Sequence, residues 1–315
     1  MPDITVLRTG AHGTRMSEYA DALRDRLPDQ DVAVARTPAE ERELVADARV
    51  VTGVDIDEAL LSEAEDIELF AGAYAGYEHL PLEEFESRGV PVTNAAGVHA
   101  PSASEQVLGY VLTFARRLHE GIRRQRHREY RHYQAYELKG STVTVVGLGA
   151  IGEAVVERLQ GFDVDTIGVR YTPEKGGPTD EVVGFDDDAL HGAFARTDYL
   201  VLACPLTDTT RNLVDEATFD TLPPESVLVN VARGPVVDQD ALVSAIRREH
   251  IRGAALDVTD PEPLPEDHPL WNFENVVVTP HNAGQTPEYW DRLADIVATN
   301  VPRLDTDEEL RNRVA

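Results

Sequence analysis

The stretch Thr142-Val143-Thr144-Val145-Val146-Gly147-Leu148-Gly149-Ala150-Ile151-Gly152 decides how this chain is read. Its first five residues, all β-branched, predict a strand. The G-x-G-x-x-G spacing that follows predicts a tight turn into a helix running to Leu159. In that setting the first glycine makes the turn and the second lets backbone approach a pyrophosphate. The third lets the helix pack closely on the strand. The free N–H groups at the helix start then face the phosphates. Gly147, Gly149, Ala150, Ile151 and Gly152 are therefore candidate contacts to a dinucleotide.

Outward from this turn, apolar β-rich runs alternate with amphipathic segments in both directions, which predicts an α/β protein built on parallel sheets. Upstream, strands are expected over 4–8, 32–35, 50–52, 67–71 and 90–93, with helices over 17–27, 38–46 and 82–87. Downstream, strands are expected over 166–170, 200–203, 227–230, 253–257 and 276–279, with a helix over 240–248. Pro101 and Ser102 start a long helical stretch that is expected to reach about residue 133. Val107, Tyr110, Val111, Phe114 and Leu118 mark its apolar stripe at three- and four-residue spacing. A last helix is expected from 287 to about 304.

Composition bounds the function classes. The chain has 315 residues, enough for one large or two medium domains, and 57 acidic against 29 basic side chains give a formal charge of −28. Such a chain repels nucleic acid and anionic lipid, both of which need cationic surfaces. Apolar runs fall short of a membrane span. The N-terminus enters a strand without the basic, apolar and cleavable sequence of a signal peptide, so a cytoplasmic location is expected. The single cysteine, Cys204, allows no intrachain disulfide and no thiolate metal cluster, and no metal site is expected. Only Lys139 and Lys175 are lysines, every other basic residue being arginine. With the acidity, this is similar to cytoplasmic proteins of extreme halophiles, in which salt screens the crowded carboxylates.

Arg170 lies eighteen residues beyond Gly152, at the end of a predicted strand. An acid at that place bonds the ribose 2′-hydroxyl of NAD, whereas an arginine accommodates a 2′-phosphate. Arg170, with Tyr171 and Thr172, therefore favours NADP(H), with NAD(H) still possible. Three further segments follow predicted strand ends, where open α/β sheets bind ligands: 230–234 with Arg233, 257–264 with Glu262 and 279–284 with His281. Reduction of a 2-keto acid needs these three residue types. Arg233 can hold a carboxylate with a bidentate fork and polarise the carbonyl. His281 can donate a proton to the developing alkoxide, and Glu262 can fix the histidine tautomer and favour the imidazolium.

Together these segments resemble the D-isomer-specific 2-hydroxyacid dehydrogenase family, which includes glyoxylate/hydroxypyruvate reductases, and the resemblance spans nearly the whole chain. It implies Arg233, Glu262 and His281 as the catalytic three. It also implies cofactor contacts from Cys204, Pro205, Leu206 and Thr210, from Val231 and Ala232, from Asp257 beside the carboxamide, and from His281 and Gly284. Tyr74, Ala75 and Gly76 resemble the loop whose backbone N–H groups bind the substrate carboxylate. The implied architecture is two Rossmann-like or flavodoxin-like doubly wound domains with a cleft between them. Residues 1–95 plus 286–315 would be the substrate domain and 96–285 the dinucleotide domain. The resemblance further implies a homodimer joined through the cofactor domain, acting on a small 2-keto acid or D-2-hydroxy acid.

The chain departs from the family's pattern in three places. Arg170 replaces an acid, Glu78 stands for an aspartate, and Arg128-Glu129-Tyr130-Arg131 replaces an Arg-x-Gly-x-Trp stretch. Arginines 116, 117, 123, 124, 126, 128 and 131 cluster in this region and are expected to pair with carboxylates, in a dimer interface or across domains. His127 and His132 are read as structural, and Cys204 as a packing residue. Tyr74, Tyr77 and Trp290 are candidate walls for the substrate side chain. The competing readings are a dinucleotide-sensing corepressor and a formate- or phosphite-type dehydrogenase, and Glu262 stands where formate dehydrogenases have glutamine.

Overall fold

The computed structural model describes residues 2–10, 15–77 and 79–315, so Glu78 lies outside the described residues. The chain forms two compact units, Met1–Val98 with Gln285–Ala315, and His99–Gly284. The first holds five parallel strands: β1 (Ile4–Val6), β2 (Val32–Val34), β3 (Val50–Gly53), β4 (Leu69–Gly72) and β5 (Val92–Thr93), in the order β2-β1-β3-β4-β5. This is the flavodoxin-type winding. Helix starts follow local chemistry: Thr37 and Asp57 each cap one with a side-chain oxygen, the first just before Pro38. The closing helix Tyr289–Asn300 returns to this unit, where Trp290 stacks on Tyr19 with ring centroids 4.9 Å apart. The last residues cover the β5 edge, with Val314 N donating to Val92 O at 2.8 Å and Val92 N to Ala315 O at 3.1 Å.

The second unit carries seven parallel strands: β6 (Thr142–Val146), β7 (Asp165–Val169), β8 (Glu181–Val183), β9 (Tyr199–Leu202), β10 (Val227–Asn230), β11 (Gly253–Leu256) and β12 (Val276–Val278). Their order is β12-β11-β10-β9-β6-β7-β8. Winding reverses between β6 and β9, the place where doubly wound sheets open a crevice at the carboxyl ends of their strands. Valines and leucines of β6, β9 and β10 fill the core on both faces of this sheet.

Three expectations change. The helix expected from 102 to about 133 is two helices, Ala100–Ala115 and Leu118–Arg126, separated by Arg117 in the left-handed region at φ 50. The stripe that drives the first helix ends at Phe114. Leu118, counted as its next step, is 48% exposed, and the arginine-rich residues beyond it have no core to face. The last helix stops at Asn300 and tightens into a 3-10 turn, Val301–Asp305, where Pro302 cannot continue the ladder. Strand β8 and the helices Glu58–Glu63, Asp187–Phe194 and Glu216–Thr221 were not anticipated. Each is short, and β8 is only half-buried, so it lacks a clear apolar signal. Among the described residues no helix is long and apolar enough to cross a membrane.

Candidate active site

The turn after β6 is shaped by its glycines. Gly147 has φ +99, and a Cβ there would lie 2.7 Å from backbone atoms of Cys204, so the end of β9 presses directly on the turn. A Cβ on Gly152 would lie 1.9 Å from Gly147 O, which makes the third glycine a packing requirement. Gly149 faces open space, with no neighbouring heavy atom within 4 Å of where its Cβ would be, at the N-cap of helix Ala150–Leu159. Room in front of a free helix N-terminus is what a pyrophosphate needs. The residues present therefore fit a dinucleotide.

A cavity of about 350 Å³ opens at this turn. Gly147, Gly149, Arg170, Tyr171, Thr172, Cys204, Pro205 and Thr210 are all among its walls. Lys175 and Phe185 are wall residues that the sequence reading missed. Phe185 sits in an unremarked loop, and the signal for Lys175 was its rarity. Leu206 packs against the core instead, and Ala150 and Ile151 begin the helix. Thr210 Oγ1 donates to Pro205 O at 2.7 Å and accepts from Thr207 N at 2.8 Å, which fixes the loop after β9. Burial pushes the Cys204 thiol up to about 11, so near neutral pH it is a packing group and not a nucleophile.

The loops after β10, β11 and β12 carry the second part of the site. His281 Nδ1 lies 2.9 Å from Glu262 Oε2, and the side chains are 51% and 38% exposed. A carboxylate partner makes Nδ1 the donor, and Nε2 has no hydrogen-bond partner among the described residues. Glu262 is itself held, its Oε1 accepting from Thr259 N at 3.0 Å. His281 has φ +50, and its N–H donates to Asp257 O at 2.7 Å. An apolar cavity of about 540 Å³ opens beside the pair, walled in part by Leu264, Trp271, Val278 and Pro280. Arg233 is exposed and forms no ion pair among the described residues; one guanidinium nitrogen, Nη1, donates to Ala232 O at 2.7 Å. It has no hydrogen bond to His281 or Glu262 among the described residues. Its turn is tied to theirs by backbone contact, because a Cβ on Gly234 would lie 2.0 Å from Thr259 O. Buried Asn230 brackets the turn, accepting from Ala232 N and donating to Arg233 O.

These features match a known family. The family model described as D-isomer specific 2-hydroxyacid dehydrogenase, NAD binding domain, covers residues 108–283. The chain belongs to the D-isomer specific 2-hydroxyacid dehydrogenase family. It is 35% identical over 253 residues to a glyoxylate reductase of Thermofilum pendens, covering 78% of this chain and 74% of the relative. To a human glyoxylate reductase/hydroxypyruvate reductase it is 32% identical over 254 residues, covering 78% and 76%. Among solved structures, a D-isomer specific 2-hydroxyacid dehydrogenase from Xanthobacter autotrophicus, crystallised with NADPH and MES, superposes with a TM-score of 0.81 at 28% identity. That likeness covers 100% of this chain and 98% of the other.

The remaining positions named from the sequence of this 2-hydroxyacid dehydrogenase family member sit in varied surroundings. Asp257 is 2% exposed, and its carboxylate turns inward. Oδ1 accepts from Asn282 N and Oδ2 from Ala283 N, both at 2.8 Å, and Thr279 Oγ1 also donates to Oδ1. It clamps the loop of His281, and Asp257 is also a wall residue of the cavity beside that histidine. Gly284 closes that loop, its carbonyl accepting from His99 Nδ1 at 3.0 Å. Val231 and Ala232 are buried in the turn before Arg233. Trp290 is not a pocket wall but a core residue, 4% exposed. Tyr74 and Tyr77 are half-buried against the core clusters of their unit. After β4, the carbonyls of Tyr74 and Ala75 accept from Ala95 N and Asn94 Nδ2. The N–H groups of Ala75 and Gly76 have no hydrogen-bond partner among the described residues. Of the arginine cluster, Arg123 and Arg124 both pair with Glu120, Arg123 also reaches Glu274 at 3.2 Å, and Arg131 pairs with Glu129, whereas Arg116 and Arg117 donate to the carbonyls of Tyr136 and Gln134. His127 and His132 are exposed, and among the described residues no group of three or more His, Cys, Asp or Glu side chains is arranged to hold a metal ion.

Proposed function

We propose that this chain reduces small 2-keto acids to D-2-hydroxy acids, reversibly, and prefers NADPH to NADH. The observation that carries this reading is the His281 Nδ1 to Glu262 Oε2 contact of 2.9 Å with Nε2 left open. The arginine at the end of β7 supports the cofactor preference, and the NADPH found in the Xanthobacter relative agrees with it. The cofactor, when bound, supplies the hydride. Arg233 binds the substrate carboxylate and polarises the keto oxygen, aided by the N–H groups of Tyr74, Ala75 and Gly76. His281 delivers the Nε2 proton to that oxygen while Glu262 stabilises the cationic ring. In the oxidation direction the same nitrogen accepts the proton. The glyoxylate reductases among the relatives make glyoxylate and hydroxypyruvate the first substrates to try.

The enzyme is further read as a cytoplasmic, salt-adapted homodimer joined through the dinucleotide unit. Support for the dimer comes from Leu118, Ile122 and Tyr130, large apolar side chains left exposed on one segment of that unit. The test of the whole reading is NADPH consumption in KCl with a panel of 2-keto acids. His281→Ala is expected to lower kcat by about 10²-fold or more. A variant retaining a tenth of wild-type turnover would remove His281 as the acid.

A further inference from the structure

The cavity at the glycine turn has a wall composition at odds with the rest of the chain. Arg170 and Lys175 both face it, and none of its wall residues is acidic, in a chain with 57 carboxylates. The other lysine, Lys139, is paired with Asp163 at 3.0 Å, whereas Lys175 forms no ion pair among the described residues. Packing fixes the segment that carries Lys175. Arg170 Nη1 donates to Gly176 O at 2.6 Å, which ties the strand end to the 3-10 turn Pro173–Lys175. Cβ atoms on Gly168 and Gly177 would lie 2.4 and 2.6 Å from Leu148 Cδ1, so strand and turn both press on the leucine inside the glycine loop. The lysine is thus held in register with the pyrophosphate turn.

We propose that Lys175 is a specificity-determining residue, the second cation for the 2′-phosphate of NADP(H). The inference rests on the NADP(H) reading above and adds a residue to it. A phosphate monoester carries close to two negative charges near neutral pH, more than one arginine neutralises. Because one nitrogen of Arg170 is held by Gly176 O, its planar fork is oriented but partly used. Lys175 supplies a mobile point charge with three donors to the remaining oxygens. Arg170 then acts twice, by touching the phosphate and by seating the turn that presents Lys175.

The experiment is calorimetric titration of the full chain, at one fixed KCl concentration, with adenosine 2′,5′-bisphosphate and with 5′-AMP. Neither probe needs turnover. Wild type is expected to bind the bisphosphate more tightly than AMP. Lys175→Gln should weaken the bisphosphate by about tenfold or more, leave AMP within about twofold, and be rescued by Lys175→Arg. If wild type discriminates and Lys175→Gln discriminates equally well, the lysine is only a solvated charge and the inference falls while the NADP(H) reading stands. If wild type binds both probes alike, the NADP(H) reading itself falls.

Discussion

At Asp257 one buried carboxylate receives two backbone N–H groups and a hydroxyl from the segment that carries His281. His281 is held at positive φ, a conformation that costs energy outside glycine and persists only where its surroundings enforce it. Tyr110 extends the clamp, its hydroxyl meeting Thr279 Oγ1 and lying 3.5 Å from Asp257 Oδ1. Asp257→Ala should therefore lower the free energy of unfolding by about 2 kcal/mol or more, since it orphans buried donors. It should also lower kcat through the loop, and unchanged turnover alongside reduced stability in urea would show that the clamp does not govern His281. None of this was legible in the sequence, because the donors lie 22 to 26 positions downstream. Glu262 and His281 were named from their places after predicted strand ends and from the family resemblance, and the two side chains do meet at 2.9 Å.

The turn after β6 separates two uses of glycine within one element. Gly152→Ala drives a methyl into Gly147 O and is expected to destabilise the fold by about 1–3 kcal/mol. Gly149→Ala meets nothing, so its melting temperature should match wild type while dinucleotide affinity falls on the order of tenfold. Thermal unfolding combined with fluorescence titration of NADPH resolves the two. A Gly149 variant that binds normally would mean that the cofactor does not approach there. The element itself was read correctly from residue order, since strand, turn and helix each carry a local signal. The break at Arg117 was not, because the arginines on either side favour helix and only the missing core beyond Phe114 ends it.

At the scale of the molecule, the charge of −28 is spread over the surface while the cavity at the glycine turn keeps an acid-free wall. Self-repulsion of that size favours unfolding at low ionic strength and is screened within about 3 Å at 1 M salt. The melting temperature is accordingly expected to rise by several degrees between dilute buffer and molar KCl, a gain of about 2 kcal/mol or more. Equal stability in both would leave the acidity without a role in salt adaptation. The two sheets were legible because every strand but β8 carries an apolar run. Their winding order follows from chain connectivity, which periodicity does not encode.

The return of Tyr289–Asn300 to the first unit has a consequence for biosynthesis. On the ribosome, residues 1–98 emerge well before the helix whose Trp290 covers Tyr19. Met16, Tyr19, Ala20 and Leu23 remain without that cover until the rest of the chain has been made. The later-synthesised unit, continuous from His99 to Gly284, can close before the earlier one is complete. The nascent chain therefore exposes an apolar helix face during most of its own synthesis, which is the interval in which chaperones have something to hold.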